Sequence, residues 1–273
     1  MVAILLTNKE LCRMLLYNPR MPSRERSFRI EAVVLKHSDW GETDRLLGLC
    51  TRELGKVTAI AKGVRKPRSR KAGHLEPFTQ VNLLLARGRD MYILTQAETI
   101  NAFSSLREDL VLMGYASYVI ELLDRFTYEE GENRPLYRLL VNTLKRLSSG
   151  ENVALVVRYY EIRLLDILGF RPQLYTCAMG GEEIIAQDQY FSAEAGGVLC
   201  PSCGTGTVGA RPVSMQALKY LRYIQRSSYE EAVRAKISHQ INREMEILMQ
   251  HYLTYILERN LNSPAFLRRV RKG

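Results

Sequence analysis

Long apolar runs are missing from this 273-residue chain. None approaches the ~18 consecutive apolar residues of a membrane span. Val2 to Leu6 is only five residues long, and its basic residues follow it rather than precede it, so it is not a secretory signal. Histidine is scarce too. His37, His74, His239 and His251 lie far apart, with no obvious catalytic partner. There is no HExxH and no Gly-x-Ser-x-Gly, and Gly48 to Lys56 fails the P-loop spacing. Nothing nominates a nucleophile or a general base. The cysteines are odd in number: Cys12, Cys50, Cys177, Cys200 and Cys203. With neither a span nor a secretory signal the expected setting is cytoplasmic, and an odd count in such a reducing compartment argues against a disulfide framework. No internal repeat is visible.

Positive charge is abundant. The formal net charge is +10. Six cations and no acid fall between Lys62 and Lys71: Lys62, Arg65, Lys66, Arg68, Arg70 and Lys71. Gly63, Pro67 and Gly73 keep this run out of helix and regular sheet, and strand-like segments flank it. Such a loop repels itself, and a polyanion relieves the repulsion. A nucleic acid is the obvious one, because each docked cation releases condensed counterions. A solvated charged loop or a localisation-like patch explains the same residues. An anionic membrane or an acidic protein tail would also suit a basic chain.

Residues 1 to 27 read as an extension, with Met21 the expected true start and residues 1 to 20 an upstream addition. A weakly packed N-terminal helix is the alternative. From Arg29 the pattern is β. Strands are expected over Ile30 to Lys36, Thr43 to Thr51, Lys56 to Lys62, Val81 to Ala86 and Met91 to Gln96. Five short strands with a long excursion after the third suit a small closed barrel, an OB-fold first and an SH3-like barrel second. Ser105 and Glu108 read as a capping box, with Leu106, Leu110, Met113 and Ile120 behind it at helical spacing. Pro135 opens a helix carrying Leu136, Leu140, Leu144 and Leu147. Asn152 caps another, which stops at Gly169. Residues 172 to 212 are loop-rich and bear cysteines. Ser214 opens a further helix, and a long one carries Ile241, Met245, Leu248, Tyr252 and Tyr255. Arg268 to Lys272 reads as a cationic tail. The expected class is α+β: a barrel over 28 to 103, then a helical domain over 104 to 273 with the insertion inside it.

Two clusters carry chemistry. Cys200-Pro-Ser-Cys203-Gly204 is a zinc knuckle, and Cys177 adds a third ligand. The fourth position, 180, is glycine. Water, Glu182, Asp188 or a distant histidine could complete the site, or the loop could keep its fold without metal. Asp39, Glu42 and Asp44 could hold Mg²⁺ as in a nuclease, although a turn between strands explains them more simply. Trp40 could stack on a base or pack against the helices.

The segments Glu31 to Lys36, Gly41 to Leu47, Gly55 to Arg65 and Ser69 to Phe78 resemble the bacterial DNA repair family RecO. Gly196 to Cys200 and Ser263 to Leu267 continue the likeness, which covers roughly residues 28 to 270. The resemblance implies an N-terminal OB-fold and a C-terminal α-helical domain with a zinc-finger-like insertion. It implies a nucleoid-associated recombination mediator that binds single- and double-stranded DNA and anneals complementary strands. It also implies partnership with RecR and with the acidic tail of single-strand binding protein, in loading RecA. The family's first cysteine pair is broken here at Gly180. On this reading the six loop cations line the DNA path, with Lys36 and Arg45 on the barrel beside them. A basic OB-fold RNA-binding accessory protein is the alternative.

Overall fold

The computed structural model describes residues 27–128 and 131–271. Cys12, Lys272 and the expectation about Met21 lie outside them. Five strands close into a barrel: β1 (Ser27–Trp40), β2 (Asp44–Thr51), β3 (Gly55–Ala61), β4 (Gln80–Arg87) and β5 (Tyr92–Asn101). Their order around the barrel is β1-β2-β3-β5-β4. Every pairing is antiparallel except β3 with β5, which is parallel at Ala59–Tyr92 and Ile60–Ile93. This is the OB arrangement, and it removes the SH3-like alternative.

β1, β4 and β5 run longer than expected, whereas β2 and β3 keep close to their expected spans. β1 is unbroken past Lys36 because a bulge at Leu35 shifts its register between the pairs Val34–Leu49 and Lys36–Gly48. Ile30, Ala32 and Val34 point into the barrel. Val33, Leu35, Cys50 and Phe78 instead join the core of the helical part. Ala32 to Leu35 therefore reads as a continuous apolar run, not a clean alternation, because both faces are covered there.

The helical part begins with α1 (Ser105–Glu108) and α2 (Leu110–Phe126). The expected capping box does not form. Asp109 leaves the helical region at ψ 121° and splits the segment, and its carboxylate caps α2 by accepting from Val111 and Leu112 N–H. Leu110 is consequently exposed, whereas Leu106 and Ile120 are buried. The next two helices follow their signals. In α3 (Arg134–Ser148), Asn133 caps and Pro135 sits in the first turn. Asn152 caps α4 (Val153–Leu168), which ends on Gly169 at φ 83°.

The cysteine-bearing lobe holds β6 (Gln189–Ser192), β7 (Gly197–Leu199), the short α5 (Pro201–Gly204) and β8 (Arg211–Val213). Then come α6 (Met215–Arg226), α7 (Tyr229–Ala232), α8 (His239–Leu257) and α9 (Ser263–Val270). On α8, Met245, Leu248 and Tyr252 are buried, but Tyr255 faces out. The cationic tail is a docked helix, not a tail. Leu267 packs where a Cβ on Gly114 of α2 would stand. Arg271 bonds Glu246 at 3.0 Å and contacts the Tyr115 hydroxyl. No described helix is long and apolar enough to cross a membrane.

Candidate nucleic-acid interface and metal centre

The C-terminal end of α2 reaches the outer wall of the barrel. Lys36 Nζ meets Asp124 Oδ2 at 2.6 Å. Lys56 Nζ meets Asp124 Oδ1 at 3.0 Å and donates to the Asp124 and Thr127 carbonyls, each at 2.8 Å. The face of β2 and β3 that OB barrels commonly offer to oligonucleotides is thus partly occupied by the protein itself. What stays open is the other end of β2, where the β1–β2 turn and the β3–β4 loop meet.

That loop is ordered by its own backbone. Arg65 N–H donates to Thr43 O at 2.9 Å and Ser69 N–H to Lys66 O at 2.9 Å, and Ala72–His74 forms a 3₁₀ turn. Gly63 supplies a positive φ of 64°. Val64 and Leu75 plug the barrel core beneath it. Asp44 fixes the junction: its Oδ1 accepts the Gly63 N–H at 2.7 Å. That backbone bond, together with Thr43, Lys62 and Lys66 and against some burial, holds the Asp44 carboxyl below its ordinary value.

The eight predicted contact residues divide into two groups. Lys36 is spent on Asp124. Arg45 lies between Asp39 at 3.5 Å and Glu76 at 3.4 Å. Arg65 pairs with Asp39 at 3.3 Å and donates to the Gly41 and Glu42 carbonyls. Lys71 turns inward, donating to Lys62 O at 3.0 Å and Leu94 O at 3.4 Å, and burial pulls its pKa down. Lys62, Lys66, Arg68 and Arg70 are exposed and make no ion pair with a described residue. Trp40, 52% exposed, ends β1 at the same rim. Arg87 and Arg89, outside the predicted set, are also exposed, at the β4–β5 hairpin. Their only signal was two arginines around Gly88, which reads first as a turn.

The acids Asp39, Glu42 and Asp44 are not grouped as metal ligands. Asp39 and Asp44 tie the turn to the loop. The described residues do hold one ligand cluster. Cys177, Cys200 and Cys203 sit with their sulfur atoms all within 4.8 Å of one another. Cys177 Sγ accepts backbone N–H groups from Gly180 at 3.3 Å and Cys200 at 3.4 Å. Burial opposes its ionisation, but amides of Cys200, Gly180 and Met179 outweigh burial and bring it to about 7. Hydrogen bonds from the Cys200 and Cys177 sulfurs push Cys203 up to about 11. Three sulfurs thus compete for little charge stabilisation, which a divalent cation would supply. The donor set fits zinc, whose role here would be to staple the lobe.

The sequence model described as Recombination protein O N terminal matches residues 26–103, and Recombination protein O C terminal matches residues 107–265. The DNA repair protein RecO of Roseiflexus sp. (strain RS-1) is 43% identical over 249 residues, 91% of this chain and 88% of that protein. The DNA repair protein RecO of Dehalococcoides mccartyi (strain ATCC BAA-2266 / KCTC 15142 / 195) is 36% identical over 237 residues, 87% of this chain and 93% of that protein. That of Pelotomaculum thermopropionicum is 35% identical over 242 residues, 89% and 94% respectively.

Proposed function

The chain belongs to the RecO family of DNA repair proteins, and from that premise we propose that it is a non-catalytic recombination mediator. It binds single- and double-stranded DNA, anneals complementary strands, and acts with RecR on strands coated by single-strand binding protein so that RecA can load. One observation carries the DNA half of this reading. Lys62, Lys66, Arg68 and Arg70 stand unpaired on a hydrogen-bonded loop beside exposed Trp40. Their work is phosphate neutralisation, since annealing any two complementary strands forbids strong base preference. Arg45, Arg65 and Lys71 hold the loop in place, and Lys36 joins barrel to helices.

A groove supports the partner half. Tyr175, Ile185, Met215 and Leu218 line a depression of about 440 Å³ along α6, rimmed by Lys219 and Arg226. Ile185 is 64% exposed. Arg222 stacks on Tyr175, and its buried Nη2 has no hydrogen-bond partner among the described residues. An apolar floor with a cationic rim suits an acidic peptide that ends in apolar side chains, the chemistry of the single-strand binding protein tail.

The test is a strand-annealing assay on naked and protein-coated strands. Wild type is compared with a variant carrying Lys62, Lys66, Arg68 and Arg70 all changed to Ala. Annealing should fall on both substrates while the far-ultraviolet spectrum stays the same. RNA competing as well as single-stranded DNA of equal length would move the reading to an RNA-binding accessory protein.

A further inference from the structure

The two halves of the cysteine site are built alike. In the second knuckle, Gly204 N–H bonds the Cys200 carbonyl at 2.8 Å. In the first, Gly181 N–H bonds the Cys177 carbonyl, also at 2.8 Å. Position 180 therefore corresponds to position 203, whose side chain is a ligand. Position 180 has no side chain, but the space is not empty. A Cβ built on Gly180 would run into Glu182 Oε2, with Cδ at 2.9 Å and Oε1 at 3.0 Å. The backbone holds Glu182 there. Cys177 N–H donates to the Glu182 carbonyl at 2.7 Å, and Thr176 bridges Glu183. The carboxylate makes no ion pair with a described residue, although it is a free anion on a basic protein. Asp188, the other nearby acid, is committed elsewhere: its Oδ1 accepts Met215 N–H at 2.8 Å. Among the described residues neither a histidine nor a carboxylate has a ligand atom within 4.8 Å of all three sulfurs, so the Glu182 side chain has to turn toward them to share a metal.

We infer that Glu182 is the fourth ligand of a Cys₃Glu zinc site, its carboxylate taking the place of a side chain at position 180. Zinc accepts carboxylate oxygen alongside thiolate, so the exchange keeps four ligands and a closed structural site. The carboxylate is the flexible end of an exposed side chain, so it can swing away when a larger residue is placed at 180.

The experiment uses the full chain, loaded with zinc and separately with Co²⁺. The proteins are wild type, Glu182→Gln, Gly180→Cys, and the double variant Gly180→Cys/Glu182→Gln. Zinc affinity is measured by competition with a chromophoric chelator. The thiolate-to-cobalt absorption counts sulfur ligands. Wild type should bind one zinc with a three-thiolate cobalt spectrum. Glu182→Gln should weaken zinc by at least ~10-fold, since loss of a mere supporting group already costs that much. The double variant should regain affinity with a four-thiolate spectrum, which also shows that the lobe still folds. Unchanged affinity in Glu182→Gln would make water the fourth ligand and overturn the assignment. So would wild type that takes up no zinc while Gly180→Cys does.

Discussion

Lys36 on β1 crosses Gly48 of the neighbouring strand to reach Asp124 of α2, with Nζ and Oδ2 2.6 Å apart. A Cβ on Gly48 would stand 3.0 Å from Lys36 Cγ, so glycine clears the path. Lys56 reaches the same carboxylate from β3. One aspartate thus gathers two strands of the barrel onto one helix.

A pH dependence follows. Burial alone would raise the Asp124 pKa, but hydrogen bonds and charge from Lys36 and Lys56 win and depress it. A depressed carboxyl stabilises the fold above its unfolded value, ~3.9, and loses that contribution as pH falls through the folded value. Asp124→Asn should therefore melt below wild type at pH 7, with a gap that narrows as pH falls below the unfolded carboxyl value of ~3.9. Melting curves across that range check it. Lys36→Ala should lower the melting temperature and leave the salt dependence of DNA binding nearly unchanged.

Arg158 and Glu161 form an ion pair one turn apart on α4, almost wholly out of water, and Tyr118 donates to the other carboxylate oxygen at 2.6 Å. Burial pushes the Glu161 carboxyl upward against the pull of Arg158. Breaking such a pair strands a buried charge and costs ~3–5 kcal/mol, whereas replacing both partners with apolar residues is far milder. Urea denaturation should place Glu161→Leu well below wild type. Arg158→Met/Glu161→Leu should recover most of the loss.

The groove on α6 makes a separate prediction. Calorimetry with a short acidic peptide ending in apolar residues should give heat at low salt. Lys219→Ala/Arg226→Ala should weaken binding on the order of tenfold, about 1.4 kcal/mol. Ile185→Asp should weaken it further by placing a like charge on the apolar floor. No heat from the full chain would count against a mediator that works through single-strand binding protein.

Much of the fold was legible because its signals are local. Pro135 sits in the first turn of α3, Asn152 and Ser214 cap the helices they precede, and Gly169 stops α4 in the left-handed region. The misses are tertiary. Asp109 outcompeted Ser105 as a cap because its backbone is extended there, which spacing does not reveal. Arg268 to Lys272 read as a tail because the anchors of Leu267 and Arg271, namely Gly114, Tyr115 and Glu246, lie far upstream. Within the site, the run of cations was visible, but not which were spent. Asp39, Glu76 and Asp124 decide that, and only the fold brings them to Arg65, Arg45 and Lys36. Likewise Gly180 read as a missing ligand with Glu182 as one of several substitutes, and the curl of the chain is what puts that carboxylate beside position 180.

The last prediction concerns the four unpaired loop cations. Each phosphate neutralised on a single strand contributes ~0.7 to the magnitude of the log–log salt slope. If Lys62, Lys66, Arg68 and Arg70 each dock one phosphate, changing all four to Ala should flatten the slope by about three units. Affinity should fall by similar factors on every sequence, because phosphate contacts carry no base information. The fold should survive, since these side chains are exposed while Val64 and Leu75, which anchor the loop, are untouched. The competing site is the exposed pair Arg268 and Arg269 on α9. Truncating that helix is a poor control, because Arg271 holds Glu246 and Tyr115. Arg268→Ala/Arg269→Ala removes the charge and keeps the anchor. The measurement is binding of fluorescent single-stranded DNA over a salt series for wild type and both variants, with Trp40→Ala added. Trp40→Ala should weaken binding by ~1–3 kcal/mol at every salt concentration without changing the slope, as a stacking contact does. A loop variant with the wild-type slope, beside a flattened one in the α9 variant, would move the DNA to α9 and sink the loop assignment.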